Sequence, residues 1–141
     1  MPRIVFDTNA LASAAILPGS TSGRALTWAI TDFQLALSAA VIEELVEVLH
    51  RPRLARYFEG DAMHDFLITI SRISEFVEPA ETISACRDPK DNKLLKLTVA
   101  AQARYLITGD KYLLVLHSFR GIEIVPASAL SSSFADFANQ Q

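Results

Sequence analysis

An α/β layered fold with a mainly parallel sheet is what this sequence predicts, on three observations. Short continuous apolar runs such as Ile4-Val5-Phe6 and Tyr105-Leu106-Ile107 have the length and composition of strands buried on both faces. Between the runs lie longer segments with apolar residues at helical spacing, so strands and helices alternate along the chain. Finally, 141 residues without an internal repeat or a linker-like stretch are the length of one domain. Such a chain buries about 68–70% of the surface its unfolded form exposes.

The elements follow in order. Ile4-Val5-Phe6 ends at Asp7, which therefore stands at the carboxyl end of the first strand. Leu11 to Leu17 is helical in pattern until Pro18-Gly19-Ser20-Thr21-Ser22-Gly23, a run of turn formers expected to be a loop. A helix is expected from Arg24 to about Thr31 and a strand from Phe33 to Leu37, with Ser38 placed to cap the next helix. That helix, about Ala39 to Arg51, carries Ile42, Leu45, Val46 and Leu49 on one stripe and so sets Glu43, Glu44 and Glu47 off the core. Pro52 breaks it or starts a short second segment. Asp61 to Ser74 reads as a further amphipathic helix through Met63, Phe66, Leu67, Ile70 and Ile73, and Phe76-Val77 as a brief strand. Ala80 to Pro89 is turn-rich, and Lys90 to Ala103 is helical in pattern. Arg104 to Thr108 is a strand running into Gly109-Asp110, Lys111 to Phe119 is helix or turn, and Ile122 to Val125 is the last strand. Pro126 opens a short helix, and residues 131–141 are expected to be a loosely attached tail of this single domain, 1–141.

Composition narrows the function classes. Half of the residues are apolar, yet no apolar run approaches the roughly 18–20 residues of a bilayer span, and no signal-peptide pattern opens the chain. A soluble, cytoplasmic protein without a membrane partner is expected. One cysteine, Cys86, supports neither an internal disulfide nor a thiolate metal cluster. His50, His64 and His117 form no ligand pair at metal-binding spacing, and Trp28, Tyr57 and Tyr105 lie among apolar neighbours, as core aromatics do. A net charge of −3 argues against a surface coated for indiscriminate nucleic-acid binding. Two local basic clusters remain: Arg51, Arg53 and Arg56, and Arg87, Lys90, Lys93 and Lys96.

Four acidic residues carry the chemistry: Asp7, Glu44, Asp91 and Asp110. In parallel α/β folds ligands bind beyond the carboxyl ends of the strands, where Asp7 and Asp110 fall and where the helices bearing Glu44 and Asp91 can begin. Carboxylates gathered at one edge repel each other unless a cation sits among them. An all-oxygen set without His or Cys suits magnesium or manganese better than zinc.

Around these residues stand Val5-Phe6-Asp7-Thr8-Asn9, Glu44-Leu45, Asp88-Pro89-Lys90-Asp91-Asn92-Lys93 and Thr108-Gly109-Asp110-Lys111-Tyr112-Leu113-Leu114. In this order and spacing, from about Arg3 to Ala127, they resemble the PIN-domain nucleases, in particular the small stand-alone VapC-like proteins that are toxin components of toxin–antitoxin pairs. The resemblance implies a three-layer α/β/α fold and a Mg2+- or Mn2+-dependent endoribonuclease. It maps the acidic quartet onto Asp7, Glu44, Asp91 and Asp110, with Asn9 and Thr108 as polar supports. Asp7, Asp91 and Asp110 are then the expected metal ligands, and Glu44 a ligand or a base orienting water. Asp88 is an accessory candidate, and Lys93 and Lys111 are candidates to contact RNA phosphate. A small antitoxin partner and a homodimer are also implied.

Two other classes fit the chain less well. A catalytically silent nucleic-acid or protein-binding module would not need the intact quartet. A metal-dependent phosphohydrolase of the haloacid-dehalogenase type, with Asp7 as nucleophile, wants a second Asp two residues on, where Asn9 stands.

Overall fold

The structure, a computed structural model, describes residues 1–86 and 88–130. Its strands are β1 (Arg3–Phe6), β2 (Gln34–Leu37), β3 (Glu75–Phe76), β4 (Tyr105–Ile107) and β5 (Glu123–Val125), and they form one five-stranded sheet of order β3-β2-β1-β4-β5. Every pairing is parallel. β1 lies at the centre, which is why Ile4, Val5 and Phe6 are a continuous apolar run: all three are buried. The register sets Phe6 beside Ile107, and Ile107 beside Val125. Two further bonds carry the ladder past the strands, from Asp7 N–H to the Ile107 carbonyl (2.9 Å) and from Thr108 N–H to that of Val125 (3.0 Å). Asp7 and Thr108 therefore leave the same sheet edge side by side.

The helices are α1 (Thr8–Ile16), α2 (Thr21–Asp32), α3 (Ala39–Leu49), α4 (Pro52–Ala55), α5 (Ala62–Ile73), α6 (Asn92–Ala100) and α7 (Lys111–Leu114). α1 packs on α2 and α3, while α6 lies against β1 and β2. Caps explain where several of them begin. Asp7 accepts from Ala10 N–H (2.6 Å), Ser20 from Gly23 N–H (3.1 Å) and Ser38 from Val41 N–H (3.3 Å).

Three expectations about elements are corrected. Residues 21–23, expected in a loop, form the first turn of α2, because Ser20 caps it. Gly23 is required there: a Cβ would collide with the Pro18 carbonyl. The buried stripe of α3 is Val41, Leu45, Val48 and Leu49, whereas Ile42 is half-buried and Val46 exposed. The helix is turned so that Glu44, one turn from both Val41 and Val48, borders the core while Glu43 and Glu47 stay in solvent. The segment after Asp88 opens as a 3-10 turn, Pro89–Asp91, before α6.

Residues 127–130 are helical after Pro126. The expectations for the tail, residues 131–141, and for Arg87 lie outside the described residues. Among the described residues no helix is long and apolar enough to cross a membrane.

Candidate active site

Asp7 is built into the protein more tightly than any other acidic residue of the quartet. It is 5% exposed, its Oδ1 caps α1, and its Oδ2 accepts a short hydrogen bond from the Thr108 hydroxyl. Thr108, fully buried, also accepts from Asp110 N–H (3.0 Å). One hydroxyl thus ties the ends of β1 and β4 to the start of α7. Burial raises the Asp7 pKa; the Thr108 and Ala10 donors oppose that rise and the charge of Asp110 adds to it. With each oxygen already bonded, Asp7 is poorly placed as a free nucleophile, which counts against the phosphohydrolase reading. Two oxygens still leave lone pairs for a ligand.

Asp91 lies in a contrasting setting. It is half-buried at the junction of the 3-10 turn and α6. Its pKa is pushed up to about 6, first by burial, then by the charges of Asp110 and Asp88, a hydrogen bond with Asp110, and the charge of Glu44. The Cys86 thiol feels the same field: burial first, then Asp91, Asp110 and Asp88, push it to about 11. It is therefore a protonated thiol at neutral pH, as expected of a non-catalytic cysteine. Asp88 Oδ1 caps the 3-10 turn through Lys90 N–H (3.0 Å), and Asn92 Oδ1 accepts from Cys86 N–H (3.0 Å), pinning the preceding loop.

Asp110 joins the two settings. It caps α7 through Tyr112 N–H (2.8 Å) and lines two clefts. The first, about 350 Å³, is lined by Asp7, Asn9, Ser13, Ser22, Thr108 and Asp110, among others. The second, about 550 Å³, is lined by Asp88, Pro89, Asp91, Asp110, Lys111 and Tyr112. The quartet is thus a chain, Glu44 to Asp91 to Asp110 to Asp7, rather than a closed ring. Glu44 stands in the middle of α3 and reaches the site through its side chain, which pairs with the Lys93 ammonium. Lys93, expected to meet phosphate, is engaged there by Glu44.

Sequence reasoning missed Ser13, Ser22 and Tyr112. Asn9 and Ser13 are one turn apart on α1, so a polar i, i+4 pair following Asp7 was a usable signal. Of the other aromatics, Tyr105 packs edge-on against Phe33 at 5.7 Å, while Trp28 and Tyr57 are 40% and 55% exposed, contrary to the expectation of core positions.

The donor set is all oxygen. Among the described residues no three acidic, His or Cys side chains close into a ready cage. Asp91 and Asp110, which line one cleft, are the residues of this oxygen-only set that could hold a hard divalent ion.

Residues 3–112 match the sequence profile of the PIN domain family. The chain belongs to the PIN domain family. Members are generally nucleases. This PIN domain is 28% identical over 116 residues to the uncharacterized protein MJ1680 of Methanocaldococcus jannaschii, covering 81% of this chain and 74% of the relative. Its fold is similar to PAE2754 from Pyrobaculum aerophilum, with a TM-score of 0.62 and 18% identity over 95% of this chain and 90% of that one. It is also similar to a chain in the structure of VapBC2 from Rickettsia felis bound to a DNA fragment from their promoter. There the TM-score is 0.57 and the identity 13%, over 86% of this chain and 96% of that one.

Proposed function

We propose that this PIN domain is a magnesium- or manganese-dependent endoribonuclease and the toxin of a toxin–antitoxin pair. The observation that carries the reading is the placement of Asp91: a half-buried carboxylate that lines one cleft with Asp88 and Asp110 and is faced by the charges of Asp110, Asp88 and Glu44. Carboxylates brought this close at the carboxyl edge of a parallel sheet, with only Glu44 ion-paired, by Lys93, support a cation as the ligand of this edge.

Asp91 and Asp110 would hold the ion, with Asp7 reaching it from the adjoining cleft. When bound, the divalent ion polarises the scissile phosphate and acidifies a water. Thr108 keeps the Asp7 carboxylate fixed. The α7 cap fixes Asp110, so the two carboxylates keep their separation as substrate arrives. Glu44, steadied by Lys93 and facing Asp91, is positioned to orient a water. Lys111, a cation on the wall of the larger cleft, meets phosphate.

The test is cleavage of single-stranded and structured RNA with magnesium, with manganese and with chelator. Chelator should abolish cleavage, and Asp91→Asn or Asp7→Asn should each lower it on the order of a hundredfold or more. Cleavage indifferent to both substitutions would falsify the mechanism. No cleavage under any condition returns the silent-module reading.

The VapBC2 assembly of Rickettsia felis supports a protein partner for this chain, and Ile68, Ile73 and Phe76, each 36% exposed or more along α5 and edge strand β3, support self-association. Growth arrest on expression, relieved by Asp91→Asn, tests the toxin role. Light scattering tests the dimer.

A further inference from the structure

We propose that the Lys93 ammonium occupies the place of a second divalent ion, so that this carboxyl edge takes up one metal ion and not two. The inference rests on the metal-dependent reading above and sharpens it to an ion count.

The ion pair is the first support. Glu44 on α3 and Lys93 in the first turn of α6 meet where the two helices pack, with side chains only 26% and 29% exposed. The pairs Arg3–Glu75, Arg51–Glu47 and Arg120–Glu81 leave every partner 38% exposed or more. Water and salt therefore dilute the attraction least at Lys93 and Glu44. The place of the lysine in its helix is the second support. A cation in the first turn of α6 opposes the helix dipole, whose positive end lies there. Helix stability gives no reason for a lysine at this position, whereas the Glu44 carboxylate does.

The third support is the balance of charge. Glu44 also faces Asp91, whose pKa its charge helps to raise, so a cation between these two carboxylates would be attracted by both. Lys93, on the helix that Asp91 opens, already brings a positive charge to that side. With Glu44 neutralised, Asp91 and Asp110 remain on the wall of one cleft with two negative charges, which one divalent ion balances. Asp88 on the same wall is exposed, so water screens its charge. Asp7 is committed as well, since its two oxygens accept from Ala10 N–H and the Thr108 hydroxyl. Paired catalytic ions stand about 3.5–4 Å apart. A second one at Glu44 would have to meet the ammonium at close range or expel it.

The experiment counts Mn2+ bound per chain by equilibrium dialysis without RNA, and uses electron paramagnetic resonance to detect two ions close enough to broaden each other's signal. The unmodified protein should bind one Mn2+. Lys93→Met should bind two, with the broadened signal, because Glu44 is then free to act as a ligand. Lys93→Arg keeps the charge and should stay at one, and Lys93→Met combined with Glu44→Gln should return to one. Circular dichroism checks that each variant is folded; if Lys93→Met is not, Lys93→Gln is read in its place. Two ions or none in the unmodified chain, one ion in the folded uncharged variant, or a second ion that survives Glu44→Gln overturns the proposal. Cleavage of RNA by the unmodified chain is scored separately. One bound ion without cleavage sinks the nuclease reading alone, and chelator-sensitive cleavage with two bound ions sinks this inference alone.

Discussion

The two flanks of the acidic site carry the same functional group in opposite circumstances. On the β1 side, Asp7 is nearly buried and both of its oxygens accept bonds from the protein. On the α6 side, Asp91 is half-buried and faced by three further carboxylates, from Asp88, Asp110 and Glu44. The first flank is architecture that also bears charge; the second is charge that the protein compensates with an ion pair at Glu44, through Lys93, while Asp91 and Asp110 stand close together. The proposed metal-dependent cleavage would need both, a rigid post and a place where a cation relieves repulsion.

Thermal unfolding with and without magnesium separates the flanks, and the largest effect belongs to the architectural one. Asp7→Ala removes a cap and leaves the buried Thr108 hydroxyl short of its acceptor, partly offset by the lost charge, for about 2 kcal/mol, or roughly 6 °C in Tm. Asp7→Asn keeps the cap, although its amide nitrogen cannot accept from Thr108, and should lose about half as much. If both substitutions cost the same, the division between flanks is wrong.

Next in size is the cation. Magnesium at ten times its dissociation constant should stabilise the unmodified protein by about 1.4 kcal/mol and leave Asp91→Asn nearly unmoved. Equal stabilisation of the two would place the ion elsewhere.

Without metal, Asp91→Asn should itself stabilise the fold by about 1 kcal/mol at pH 7, after allowance for solvent screening. The sign follows from linkage. A carboxyl whose folded pKa is about 6, against 3.8 in the unfolded chain, binds more protons when folded. Its ionisation therefore costs stability as pH rises between those values, with the full cost above pH 6 and none below 3.8. The gap between variant and unmodified protein should thus open from pH 4 to 6; a gap constant with pH contradicts the charge account. Smallest is Glu44→Gln, which loses a partly exposed ion pair with Lys93 but relieves Asp91, a net change of about 0.5 kcal/mol or less.

Much of this was legible in the residues. Ile4-Val5-Phe6 and Leu106-Ile107 are buried, with Tyr105 half-buried, so composition alone marks these runs as inner strands, and Asp7 and Asp110 follow from their ends. Ser38 reads as a cap because hydroxyls there have one common use. The start of α2 did not read because Thr21, Ser22 and Gly23 are turn formers by local preference, and only the Ser20 bond and the tight approach of Gly23 to Pro18 recruit them into a helix. The α3 stripe was offset because Val41 and Ile42 are interchangeable by hydropathy; the packing of α1 and α6 on α3 selects Val41. Tyr112 was passed over since periodicity carries no information in a helix of one turn.

Asp7, Asp88 and Asp110 each begin a helical turn with a side-chain oxygen. Asparagine performs that task about as well as aspartate, and the two amino acids differ by a single base in their codons. Mutation can therefore silence the chemistry of this edge in one step while the scaffold stays whole. Inert descendants of such a domain lie within easy evolutionary reach, and they would keep its surfaces available for binding alone.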